Sequence, residues 1–152
     1  MEPNASPARR AGPLADLRVV EFAGIGPGPF ACMLLSDMGA EVVKIEPPAG
    51  DGLRQWPPLN QGYSENFASL NRNKRSAVLN LKDPQDVALA RRLILEADVL
   101  VENNRPGVMD RLGLGYAALS PEKPALLFCS ISAYRRSRPR STPGGFALTI
   151  DA

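Results

Sequence analysis

The feature that most narrows the fold lies between residues 17 and 46. Residues 17–22 (LRVVEF) are a short run suited to a β-strand. A turn of glycine and proline follows, Ala23-Gly24-Ile25-Gly26-Pro27-Gly28-Pro29. Residues 30–38 (FACMLLSDM) are apolar enough for a buried helix, and Gly39 stands where a C′ glycine closes one. Residues 41–46 (EVVKIE) read as a second strand. Strand, tight turn, helix and strand form a βαβ unit. Such units cross over right-handedly and build parallel sheets.

The pattern continues along the chain. Residues 47–66 are rich in Pro, Gly, Asn and Gln and read as a long surface loop. Residues 67–75 are basic, and 76–81 (SAVLNL) alternate as a strand does. Asp83-Pro84 predicts a helix start, with Asp as N-cap and Pro at the first helical position. Val87, Ala90, Ile94 and Ala97 then recur at helical spacing. Residues 98–102 (DVLVE) form the next strand, Pro106-Gly107 opens a short helix through Met109 and Leu112, and Tyr116 to Leu119 make another turn. Residues 126–131 (LLFCSI) read as a buried strand. The expectation is an α/β chain with four or five parallel strands in a Rossmann-like layer flanked by helices. Residues 1–13 read as a flexible tail. Residues 134–140 hold four arginines, and 146–152 look like the opening of a further element.

Composition removes several classes of function. The chain has no histidine, which excludes Ser-His and Cys-His nucleophiles and histidine-containing metal sites. A net charge of +2 gives no reason to expect a nucleic-acid partner. No uncharged apolar run is long enough for a bilayer, and residues 1–13 lack a signal-peptide core. Cys32 and Cys129 lie far apart in apolar stretches, as small core residues would, so a reduced, cytoplasmic setting is expected.

Three polar segments are candidates for a site. Gly24-x-Gly26-x-Gly28 follows the first strand, where glycines allow backbone amides to approach a phosphate. Glu46, at the end of the second strand, stands near the place of the ribose-binding acid in dinucleotide folds. Against that reading, Pro29 takes the third glycine position, and Pro27 and Pro29 both lack an N–H. The second candidate is Asn71-Arg72-Asn73-Lys74-Arg75-Ser76, running into Leu79-Asn80-Leu81-Lys82: cations mixed with amide and hydroxyl donors, as phosphates require. The third is Asn103-Asn104-Arg105 after the DVLVE strand. Ligands of open α/β sheets bind outside the carboxyl ends of the strands. The glycine turn, Glu46 and residues 103–105 all fall at such ends.

Taken in order, LRVVEFAGIGPGPFACMLLSDMGAEVVKIEPPAGD, LNRNKRSAVLNLK, ADVLVENNRPGVMDRLGLGY and PALLFCSISAY resemble the start of the class III CoA-transferases (CaiB/BaiF, formyl-CoA transferase and α-methylacyl-CoA racemase). The resemblance runs from Leu14 to about Ala152. It implies a Rossmann-like large domain plus a small domain, in chains that interlock as homodimers. It implies acyl-CoA chemistry: CoA or acyl-CoA is the substrate rather than a tightly bound cofactor, and a small carboxylic acid is its partner. The resemblance assigns CoA contacts to Ile25, Gly26, Leu79, Asn80, Leu81, Lys82, Asn103, Asn104 and Arg105, and places Arg111 near the CoA phosphates. No metal and no membrane or nucleic-acid partner is implied.

The chain departs from the family pattern at three points. The family's nucleophilic aspartate falls downstream of residue 152, and Asp151 is too early for it. Arg135 and Arg138 stand where glycines are usual, and Ala147 stands where an acid is usual. The expectation is therefore the N-terminal part of a large domain, truncated and catalytically inactive by itself, and exposing apolar sheet edges. Two other readings remain open: a non-catalytic CoA- or nucleotide-binding module, and an NAD-dependent Rossmann protein.

Overall fold

The computed structural model describes residues 11–22 and 24–132. Strand β1 (Arg18–Phe22) leads through helix α1 (Pro27–Asp37) to β2 (Glu41–Glu46). A 3₁₀ turn over Gly52–Gln55, a two-stranded hairpin of β3 (Leu59–Asn60) and β4 (Tyr63–Ser64), and helix α2 (Glu65–Asn71) precede β5 (Arg75–Val78). Helix α3 (Pro84–Glu96) crosses to β6 (Val99–Glu102), and the short helices α4 (Val108–Arg111) and α5 (Tyr116–Leu119) lead to β7 (Leu127–Ser130).

Five strands form one parallel sheet in the order β5-β2-β1-β6-β7. Phe22 is level with Ile45 of β2 and with Glu102 of β6, so these strands end together. Side chains alternate across the sheet, as the two-residue period of a strand requires. Val20, Phe22, Ile45 and Leu100 meet Ala90 and Ile94 of α3 in one core. Val19, Val42, Val99 and Val101 meet Cys32 of α1 in the other. Burial on both faces covers the apolar residues of the central strands and leaves the buried Glu21 and Lys44 to pair with each other. No helix among the described residues is long and apolar enough to cross a membrane.

The expected fold class holds, and the differences are local. Helix α1 begins at Pro27 rather than Phe30, because a proline's fixed φ suits the first helical turn. Residues 47–66 are not a bare loop. The Asp51 carboxylate caps the 3₁₀ turn by accepting from Leu53 N–H at 2.8 Å, and the Ser64 hydroxyl caps α2 by accepting from Phe67 N–H at 3.2 Å. The segment 126–131 does not form a buried strand. Leu126 is buried, but Leu127 is 66% exposed. Among the described residues strand β7 ends the sheet with only β6 beside it, so Cys129 is exposed while Cys32 is buried as expected. The arginine-rich run 134–140, the segment 146–152 and residues 1–10 lie outside the described residues.

Candidate ligand-binding edge of the sheet

The strand order reverses direction at β1: β2 lies on one side and β6 on the other. Helices reached from β1 and from β6 cover opposite faces, and ligands of such sheets bind at the carboxyl ends where the strand order reverses. The turns after β1 and β6 meet there. Gly24 N–H donates to Asn103 Oδ1 at 2.8 Å, and Asn103 Nδ2 donates to the Ile25 carbonyl at 2.8 Å. Gly26 takes φ +84° and has nothing within 4 Å of where a Cβ would stand. Of the first three positions of α1, only Gly28 keeps an N–H, since Pro27 and Pro29 have none.

The other expected site residues lie along the same edge in different surroundings. Leu79 N–H continues the ladder by donating to the Glu46 carbonyl at 2.9 Å, while the Leu79 side chain is core. Leu81 packs half-buried against that core. Asn80 is exposed. Its N–H donates to Asp86 Oδ2 at 2.7 Å and its Oδ1 accepts from Lys82 N–H at 3.2 Å, so the turn is held by local bonds. Asn104 is half-buried with Nδ2 3.6 Å from Met109 Sδ. Lys82, Arg105 and Arg111 are exposed, and none makes an ion pair among the described residues.

Sequence reasoning passed over Glu102, which is 2% exposed. Its Oε2 accepts from Asn104 N–H at 2.8 Å, and its Oε1 accepts from the Ser130 hydroxyl. It thus ties the turn after β6 to the end of β7. The available signal was a charged residue closing an otherwise apolar run, DVLVE.

The basic block 71–76 does not form a phosphate site. Lys74 has a side chain 2% exposed; its Nζ lies 2.8 Å from Glu21 Oε2 and donates to the Pro29 carbonyl at 2.9 Å and to Asn71 Oδ1 at 3.1 Å. Burial lowers the Lys74 pKa, and the Glu21 carboxylate opposes that shift. Arg72 forks onto Asp37, joined by Asn73, and Arg75 pairs with Glu41. Ser76 donates its hydroxyl to Glu46. The block spends its donors on partners within the protein, Lys74 in the interior and Arg72 and Arg75 at the surface.

Glu46 is likewise no ribose acceptor. Arg54 binds both of its oxygens at 2.7 Å, Ser76 Oγ donates at 2.6 Å and Asp51 N–H at 2.9 Å. Burial pushes its pKa up, but the hydrogen bonds from Arg54, Ser76 and the Asp51 amide outweigh it and hold the carboxyl at about 2. Beside it, Lys44 bridges Asp51 at 2.6 Å and Glu21 at 3.4 Å. Burial, reinforced by Glu21, raises the Cys32 thiol well above the ordinary range, which keeps it protonated. Among the described residues no cluster of side chains is arranged to hold a metal ion.

A doubly wound parallel sheet with polar turns gathered at its carboxyl edge defines an open α/β protein. The sequence profile of CoA-transferase family III matches residues 14–152, and the chain belongs to that family. It is 42% identical over 142 residues to the mouse succinyl-CoA:glutarate CoA-transferase, covering 92% of this chain and 33% of that protein. It is 43% identical over 135 residues to an acetyl-CoA:oxalate CoA-transferase of Acetobacter aceti, covering 88% of this chain and 35% of the relative. A crystal structure of a CaiB/BaiF family protein from Brucella suis superposes with a TM-score of 0.87 at 37% identity, over 92% of this chain and 38% of that one. The chain spans about a third of the length of the curated relatives it matches.

Proposed function

We propose that this chain supplies the CoA-binding edge of a CoA-transferase that moves CoA between short carboxylic acids. CoA or its acyl thioester is then a substrate and not a tightly bound cofactor. The observation that carries the reading is the contrast among cations: those of residues 71–76 have internal partners, whereas Lys82, Arg105 and Arg111 stand exposed and unpaired among the described residues. Strands β5 and β6 are three strand spacings apart, about 14 Å. Residues 79–82 and 103–105 therefore suit one ligand only if it is extended, as CoA is with its pantetheine arm.

The acceptor in this reading is a short dicarboxylic acid. Support comes from the names of the relatives, which specify glutarate, oxalate, D-citramalate and L-malate. Binding, not transfer, is the part assigned to the described residues. Glu46 and Glu102 spend their carboxylate oxygens on structural hydrogen bonds, so neither is offered as the nucleophile. The same reading carries an interlocked homodimer in the cytoplasm. The exposed Val78 and Leu127 on the two edge strands favour further chain packing there.

Calorimetric titration of the expressed protein with CoA, dephospho-CoA and NAD tests the proposal. CoA is expected to bind, dephospho-CoA to bind more weakly, and NAD not to bind. Binding of NAD with none of CoA overturns it.

A further inference from the structure

We infer that Asn103 is a positioning residue: its side chain clamps the glycine turn to the end of β6, and CoA meets the turn it holds rather than the Asn103 amide. The inference rests on the CoA reading above. A primary amide carries an acceptor and a donor on one rigid plane. Asn103 spends its oxygen on Gly24 N–H and a donor on the Ile25 carbonyl, two consecutive backbone groups that lie 79 and 78 residues away in sequence. A carboxylate in its place would accept but not donate, and a hydroxyl would not span both groups.

The glycines corroborate the clamp. A Cβ on Gly24 would stand 2.9 Å from Asn103 Oδ1, and one on Gly28 would stand 3.2 Å from Asn103 Cγ. Gly26, between them, has open space around it. Gly24 and Gly28 therefore accommodate Asn103, and Gly26 supplies the left-handed turn. The three glycines, which read in sequence as an anion cradle, divide into two that admit a protein side chain and one that faces outward. A second side chain holds the same segment from the other side, since Lys74 donates to the Pro29 carbonyl. The turn is thus set before any ligand arrives.

The test combines amide hydrogen exchange at Gly24 with CoA affinity and thermal melting, in the expressed protein and in N103A, N103D, G28A and N103A/G28A. N103A should lose Gly24 protection and bind CoA about tenfold more weakly. N103D should keep Gly24 protected, because its carboxylate still accepts, yet bind CoA more weakly than the parent. G28A should weaken binding in the parent and add nothing in the N103A background, because only the residue-103 Cβ then remains, at an ordinary contact distance of 3.5 Å. Weaker CoA binding in N103A with Gly24 still protected would mean that the amide touches the ligand, and the inference falls. Additive effects of N103A and G28A overturn it as well. If the parent protein binds no CoA while Gly24 is protected and the two substitutions are non-additive in melting, the clamp stands and the CoA reading fails.

Discussion

The block 71–76 and the turn 103–105 carry the same chemistry in sequence: asparagines and arginines beside a strand. The block sits at the amino-terminal side of β5, with Lys74 against Glu21 in the interior, and its charges are neutralised by β1, β2 and α1. The turn sits at the carboxyl end of β6, where Asn103 faces inward and Arg105 faces solvent. The block's cations hold the fold, whereas Arg105 has no ion-pair partner among the described residues. A buried ion stays charged only where its partners are built in, so Lys74 is structural by necessity.

Removing Lys74 should break this contrast most visibly. Lys74→Met deprives Glu21 of one of its two cations and leaves the Pro29 carbonyl without its donor, at a cost of about 3 kcal/mol. Urea unfolding should show that loss. An unchanged urea midpoint with weakened CoA binding would place Lys74 with the ligand instead. The next largest effect concerns acid. The Glu46 carboxyl is held at about 2, below its ordinary 4.5, so its contribution is present above about pH 4.5 and is lost as pH falls towards 2. The full contribution is about 3 kcal/mol. Glu46→Gln should unfold more easily at pH 7, and its stability should fall less than that of the parent between pH 5 and 2; parallel pH curves for the two proteins would refute this.

On the other side of the comparison, Arg105→Ala and Arg111→Ala should each weaken CoA binding about tenfold, roughly 1.4 kcal/mol, without moving the melting midpoint. The difference from the parent should shrink as salt rises, because the charges are exposed. A salt-independent loss would point to packing instead. The smallest effect is expected for Arg75→Ala, whose pair with Glu41 is solvent-exposed. Melting and CoA affinity should both stay close to the parent, since exposed pairs contribute about 0–1 kcal/mol. A clear loss of CoA affinity would return the block to the site.

Much of the fold was legible in sequence because its signals are local. Asp83-Pro84 starts α3 as expected, and residues 41–46 form β2 at the bounds read from their composition. Helix α2 was missed because its seven residues hold a single apolar step, Phe67 to Leu70, and its cap, Ser64, sits in a stretch that reads as loop. Cys129 was misplaced because an apolar run does not say whether its strand is central or at an edge. The carboxyl edge was legible as the place where the turns after β1, β5 and β6 fall, since each follows a strand. The roles of its residues were not.

The sequence alone determined the succession of strands and helices outside residues 47–71, the parallel sheet and, through several motifs in order, the family. It also determined that no histidine chemistry is available to these 152 residues. Only the tertiary structure decided which polar groups are spent. Asn103 meets Gly24 across 79 residues and Lys74 meets Pro29 across 45, and both meetings depend on how the strands are ordered in the sheet. A donor's availability depends on what lies within hydrogen-bonding distance, and distance along the chain does not report distance in space.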